Sequence, residues 1–314
     1  MFTIIKPNTN YNFMGYRHHL MAVSGILLII SVVLVFTKGI NWGIDFTGGV
    51  ELHLRSNDSK LGIAEIRKTV EGLYKGDIQV QNFGEKTSND YLIRVQGKDE
   101  ELQKVSKTIE KGISDKFGEK SFSILKVDVV GGKVGSELRT SGLLSVLYAL
   151  LGILIYIGLR FDFRYSPGGV LCLAHDVVIA VGAYSLLHMQ FTLSTVASLL
   201  TLVGYSINDT VVVYDRIRET AGKMRGRDLV DIINRAINDT LSRTMLTSLT
   251  VFIVIAVLHV VAGDILGDFT LGMLVGNVVG TYSSVFIASP LIITVDYLME
   301  KRKLAKAAKA AKAA

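Results

Sequence analysis

The chain has 314 residues, 49% of them hydrophobic, with 30 glycines, three prolines, one cysteine and a mean hydropathy of +0.40. Charged residues make up 20%, below the roughly one quarter usual for soluble domains, and residues 38–140 hold 17 of the 34 basic and 16 of the 28 acidic ones. These figures exclude a disordered chain, a disulfide framework and an ordinary soluble enzyme, and the net charge of +6 belongs to short loops between apolar runs rather than to a nucleic-acid surface.

Six runs approach the length of about 20 apolar residues that crosses a bilayer. The first, Leu20–Phe36, follows Lys6 and Arg17 and ends without a small-residue cleavage pattern, so it reads as an uncleaved signal anchor. Residues 38–140 then alternate between periods of two and about 3.6. Val50, Leu52 and Leu54 mark a strand; Ile63, Ile66, Val70 and Leu73 a helix; Ile78 and Val80 a strand; Tyr91, Ile93 and Val95 another. Leu102, Val105, Ile109, Ile113 and Phe117 form a second helical stripe, and Leu125, Val127 and Val129 a last strand. The order βαββαβ predicts a ferredoxin-like α+β domain. With no His/Cys cluster, nucleophile elbow or phosphate loop, it reads as a binding surface, and no metal or cofactor is expected.

Five further spans follow: Gly142–Leu159, Val170–His188, Phe191–Tyr214, Thr244–Ala262 and Phe269–Ile293. Before the fifth, Leu229, Ile232, Ile233, Ala236, Ile237 and Leu241 share one helical face. Two readings stand for this 228–241 helix: it lies in the membrane interface, or it packs on protein. Lys301 to Lys312 form a basic tail, solvated or touching anionic membrane lipids. Basic residues alternate between loops: Arg160 and Arg164 follow the second span, seven from Arg216 to Arg243 follow the fourth, and six lie in the tail. The turn after the third span has none, and that after the fifth carries only Asp264 and Asp268. The positive-inside rule then predicts cytoplasmic termini and an exported 38–140 domain.

Ionisable groups at membrane depth are functional candidates. Asp209, in Gly204-Tyr-Ser-Ile-Asn-Asp-Thr210, lies roughly 9 Å inside Asp215 at 1.5 Å per residue. Its charge there needs a compensating cation. Arg243 opens the fifth span, with Thr247 one turn deeper; the arginine either partners Asp209 or snorkels to the interface. His175 and Asp176, with Asn208, form a secondary polar site, structural or proton-carrying. Gly272, Gly276, Gly280, Ser284 and Ala288 recur every four residues, a small-residue stripe that predicts close helix packing, and Pro290 ends it. No G-x-x-x-x-G-K-[ST] is present, and the G-x-G-D context of intramembrane aspartyl proteases is missing around Asp209. No enzyme is expected.

Several segments together resemble the SecD/SecF family of protein-export membrane subunits, of the RND superfamily. Gly43-Ile-Asp-Phe-Thr-Gly-Gly49, with Gly43, Asp45, Phe46, Gly48 and Gly49, is similar to the signature that follows the family's first span. Val203 to Glu219 is similar to its fourth-span signature, and Ser242–Ser248 and Gly280–Pro290 to its fifth and sixth spans. The resemblance implies six spans of one RND-type half and a proton pathway through Asp209, Arg243 and Thr247. It implies assembly with SecD, with the SecYEG channel and with YajC, and coupling of H⁺ or Na⁺ flow to the movement of exported polypeptides. Two alternatives remain: a structural scaffold for SecD, or more remotely a small-molecule exporter subunit.

Overall fold

A computed structural model describes residues 9–57, 62–74, 76, 78–82, 89–95, 102–118, 121–161, 166–263 and 266–313. Lys6, Arg164 and Asp264, used in the charge argument, lie outside them, as do the side chains of Lys306, Lys309 and Lys312.

Six helical segments are long and apolar enough to cross a membrane. After a 3₁₀ turn at Met14–Tyr16 come α1 (Arg17–Thr37), α5 (Gly132–Arg160), α6 (Ser166–Leu187), α7 (Leu193–Lys223), α8 (Leu229–Ala262) and α9 (Gly267–Ser283). A π turn at Ser284–Ala288 joins α9 to α10 (Ser289–Ala313). Burial follows composition inverted relative to a soluble bundle. In α1 the buried side chains are Ser24 and Ser31, while Ile29 and Phe36 are 65% and 85% exposed. Small and polar residues face protein, and aliphatics face the place of lipid. Helices α1, α5 and α8 form the outer layer; α6, α7 and α9 are half buried and form the inner one.

Between α1 and α5 lie β1 (Asn41–Trp42), α2 (Ile44–Thr47), β2 (Gly49–Ser56), α3 (Ile63–Leu73), β3 (Ile78–Asn82), β4 (Asp90–Val95), α4 (Leu102–Phe117) and β5 (Phe122–Val130). The last four strands form one antiparallel sheet in the order β3-β4-β2-β5, with Leu52 opposite Ile93 and Val127. Val50, Leu52, Leu54 and Ile93 pack with Ile66 and Val70 of α3 and Val105, Ile109 and Ile113 of α4. The alternation leaves Glu51, His53, Arg94, Lys126 and Asp128 on the opposite, polar face.

The structure departs from the sequence reading at several boundaries. Helix α5 starts at Gly132, so residues 132–140 belong to the second span. Its first turns carry Lys133, Glu137 and Arg139, which masked the helix as domain surface. As expected, the 228–241 helix runs straight into the fifth span, the two forming one 34-residue helix. Ile232, Ile233, Ala236 and Ile237 are buried against Met14, Val213, Tyr214 and Ile217, so that face packs on protein and does not lie in an interface. The four-residue stripe of the sixth span stays buried through the π turn, with Ser284 and Ala288 on the same inner line as Gly272, Gly276 and Gly280. Pro290 brings no N–H for the carbonyl one turn back, and a wider turn before it absorbs the mismatch.

A further ribbon was not foreseen. β1 pairs in parallel with β6 (Gln190–Phe191), in the turn between α6 and α7. The sheet domain and this turn therefore lie at one end of the bundle, bridged by Gln190 Nε2 donating to Gln79 Oε1 at 3.2 Å. The N-terminal segment and the α7–α8 junction lie at the other, where Asn238 Nδ2 donates to the Tyr11 carbonyl at 2.9 Å.

Candidate functional site in the helical bundle

Asp209 sits in the middle of α7, 3% exposed. Its Oδ2 accepts from Ser248 Oγ of α8 at 3.2 Å. Ser248 Oγ accepts in turn from Thr281 Oγ1 of α9 at 2.7 Å, and Asn277 Nδ2 donates to the Ser248 carbonyl at 3.1 Å. Three helices thus converge on one carboxylate. The far side of this network lines a cavity of about 440 Å³ bordered by Thr244, Ser248, Asn277, Thr281, Phe252 and Val285.

Arg243 does not close on Asp209. Among the described residues no ion pair joins them; the guanidinium is exposed on α8. Thr247 is exposed as well, and its hydroxyl donates back to the carbonyls of its own helix at Arg243 and Thr244, both at 3.0 Å. At 100° per residue, Ser248 rather than Thr247 faces α7. Ser248, Asn277, Thr281 and Tyr205, whose hydroxyl is buried one turn before Asp209, were missed in the sequence. An Asn and a Thr four residues apart in the sixth span were the available signal, since an amide inside an apolar helix needs a partner.

His175 and Asp176 of α6 are 4% and 0% exposed. Asp176 Oδ2 accepts from Ser206 Oγ of α7 at 2.6 Å and from Ser283 Oγ of α9 at 2.9 Å, and Oδ1 lies 2.9 Å from His175 Nδ1. Asn208 does not join them. It is exposed on α7, two residues and about 200° from Ser206.

The glycine stripe packs on α7 with matched spacing. A Cβ at Gly272 would meet Ser198, one at Gly276 would meet Leu202, and one at Gly280 would lie 3.0 Å from Ser206 Cβ. Both series rise in steps of four, so α7 and α9 run parallel in close contact. Ser284 and Ala288, both 0% exposed, continue the buried line through the π turn.

The glycine-rich loop after α1 ties the sheet domain to the bundle. The Gly43 amide donates to the Phe191 carbonyl at 2.9 Å, and the Leu193 amide, in the first turn of α7, donates to Asp45 Oδ2 at 2.8 Å. A carboxylate at a helix N-terminus is favoured by the unpaired amides there. Thr192 and Thr195 complete a capping box at the same end. Phe46 is buried with Phe191, Tyr184 and Val196, and the Arg139 guanidinium lies 4.0 Å above the Trp42 ring. Gly48 has φ +77°, and a Cβ there would come within 2.6 Å of Gly132 Cα; Gly49 follows at the start of β2.

On the polar sheet face, Glu51, His53 and Asp128 bring ligand atoms within 4.8 Å of one another. The protein's own cations already use them: Arg94 pairs with Glu51 at 2.5 Å, His53 with Glu51 at 2.8 Å and Lys126 with Asp128 at 2.5 Å. The Asp128 carboxylate holds Lys126 above the usual lysine pKa, chiefly through their hydrogen bond. A metal ion there would have to displace two cations.

Residues 109–297 match the family described as protein export membrane protein SecD/SecF, C-terminal, and residues 33–57 match the SecD/SecF GG motif. A protein translocase subunit SecF of Calditerrivibrio nitroreducens is 39% identical over 301 residues, covering 95% of this chain and 98% of the relative. One from Magnetococcus marinus is 44% identical over 294 residues, covering 92% and 93%. The crystal structure of SecDF, a translocon-associated membrane protein from Thermus thermophilus, is similar with a TM-score of 0.81 and 36% identity over 92% of this chain. The chain spans 39% of that longer protein.

Proposed function

Because the chain belongs to the SecD/SecF family of protein-export membrane proteins, we propose that it is the SecF-type half of a Sec translocase auxiliary complex, in which ion flow through Asp209 assists protein export. The observation that carries this reading is a carboxylate 3% exposed inside a spanning helix, held among the described residues by one serine hydroxyl and by no ion pair with Arg243. An ionised Asp209 attracts Arg243; a neutral one releases it. Helices α7 and α8 then have two arrangements, and an ion gradient biases them through the affinity of each for the ion. Arg243 and Thr247 are exposed at the flank of α8, which supports a second subunit completing the site. SecD, whose name is joined to the similar solved structures, is the proposed occupant. SecYEG and YajC are the further proposed partners, and the coupling ion is H⁺ or Na⁺.

The domain between α1 and α5 is assigned a ferredoxin-like fold, supported by the strand order β3-β4-β2-β5 with both helices on one face. It is assigned to the exported side, with both termini cytoplasmic. The alternation of basic loops supports this, as do Arg216, Lys223 and Arg235 at the end of the bundle opposite the sheet.

Export measured in vesicles, with and without an imposed gradient and at constant ATP, tests the reading. Asp209→Asn, nearly isosteric, is expected to assemble normally and to lose the gradient-dependent increment. Full retention of that increment would make this chain a scaffold, with coupling carried by its partner.

A further inference from the structure

We propose that His175 and Asp176 form a second proton-binding site, separate from Asp209, whose occupancy is felt by α7 and α9. It goes beyond the Asp209 reading and stands without it, since among the described residues the two carboxylates share no hydrogen-bonding partner.

Asp176 is fully buried, and a buried carboxylate needs donors or a cation. Its donors from α7 and α9 are the neutral hydroxyls of Ser206 and Ser283. The titratable groups seen to interact with it are both on α6: His175, and the Cys172 thiol, which lies within its electrostatic reach. The imidazole is therefore the group that balances its charge once it takes up a proton. His175 Nε2 is also buried, and among the described residues it has no hydrogen-bonding partner. With Nδ1–H donating to the carboxylate, Nε2 presents a free lone pair.

One proton from water has two places to go. On Nε2 it forms an N–H bond and an imidazolium–carboxylate pair. On Asp176 it forms an O–H bond, and a serine hydroxyl that had donated must turn to accept. A neutral amide at 176 would brace three helices with less desolvation, so a structural role alone does not call for the acid beside an unpartnered base.

The site is placed to act on helix packing. The carboxylate lies beside the closest approach of α7 and Gly280: a Cβ added at 280 would be 3.0 Å from Ser206 Cβ and in ordinary contact, 3.6 Å, with Asp176 Oδ2. Ser283 is the last residue of α9 before the π turn, and the Ala288 carbonyl at the end of that turn accepts from the Tyr214 hydroxyl of α7 at 3.1 Å. A change in what Ser283 donates to is thus delivered where α9 is already irregular.

The test is ¹⁵N NMR of the full chain in vesicles, labelled at histidine. The chain has six imidazoles, and His175→Gln identifies the one concerned. Its signal is expected to titrate while the protein stays folded. Asp176→Asn is expected to displace the midpoint by about one pH unit, a tenfold change in proton affinity, and Asp209→Asn to leave it unmoved. Where Asp176→Asn does not fold, Ser283→Ala keeps both titrating groups and is expected to give a smaller displacement. A His175 signal that is constant with pH, or indifferent to both substitutions, overturns the proposal and leaves the pair as a brace.

Discussion

Asp209 depends on one hydroxyl. Hydrogen bonds to charged groups contribute about 1.5–3 kcal/mol, so Ser248→Ala is expected to destabilise the ionised protein by up to that amount. The loss, read from thermal unfolding in detergent, should be larger at neutral than at acidic pH, because the neutral carboxyl needs the donor less. Arg243→Lys is expected to weaken gradient-dependent export in the vesicle assay, since a compact ammonium lacks the planar fork of the guanidinium. Equal export by the lysine variant would mean that charge alone suffices at 243. The sequence made Asp209 and Asp176 legible because acids at membrane depth stand out. Ser248 and Thr281 were hidden because hydroxyls are common in spanning helices, and only the rotation of α8 and α9 shows which ones point inward.

At the scale of elements, the matched series 272, 276, 280 and 198, 202, 206 is a close contact repeated over three turns. Gly276→Leu is expected to force α9 away from Leu202 of α7 and to lower recovery of assembled complex. Undiminished recovery, measured by size-exclusion chromatography, would argue against this contact. At Gly48 the backbone conformation and the approach of Gly132 both exclude a side chain. Gly48→Ala is expected to cost of the order of 1–3 kcal/mol, read as a lower unfolding temperature or faster proteolysis of the sheet domain. Helices α3 and α4 match the stripes read from the sequence, because each buries one face in a single sheet. The start of α5 was misread because its polar first turns extend the helix beyond its apolar run, whereas the start of α8 was legible from the stripe that begins at Leu229. The β1–β6 ribbon escaped notice because it joins residues about 150 positions apart with two pairs, too few to leave a periodic signal.

For the whole molecule, sidedness is the property open to direct measurement. Lys104 is exposed on α4, and the native Cys172 is buried. Lys104→Cys should therefore react with a membrane-impermeant thiol reagent added outside intact cells, with little background. Labelling only after the cytoplasmic side is opened would reverse the proposed orientation. The two ends of the bundle are built differently. One is stitched by Arg216 to Asp239 at 2.8 Å and by Asn238 to Tyr11; the other carries the sheet on a short glycine-rich loop.

That loop has a mechanical consequence. The amide of Gly43 and the carboxylate of Asp45 are fastened to the first residues of α7, the same rod that carries Asp209 some way along its length. Strand β2 leaves this fastening directly and extends roughly 26 Å over its eight residues. A small tilt of α7 is therefore delivered at the fulcrum of a long arm, and the far tip of the sheet sweeps a distance much greater than the shift that started it.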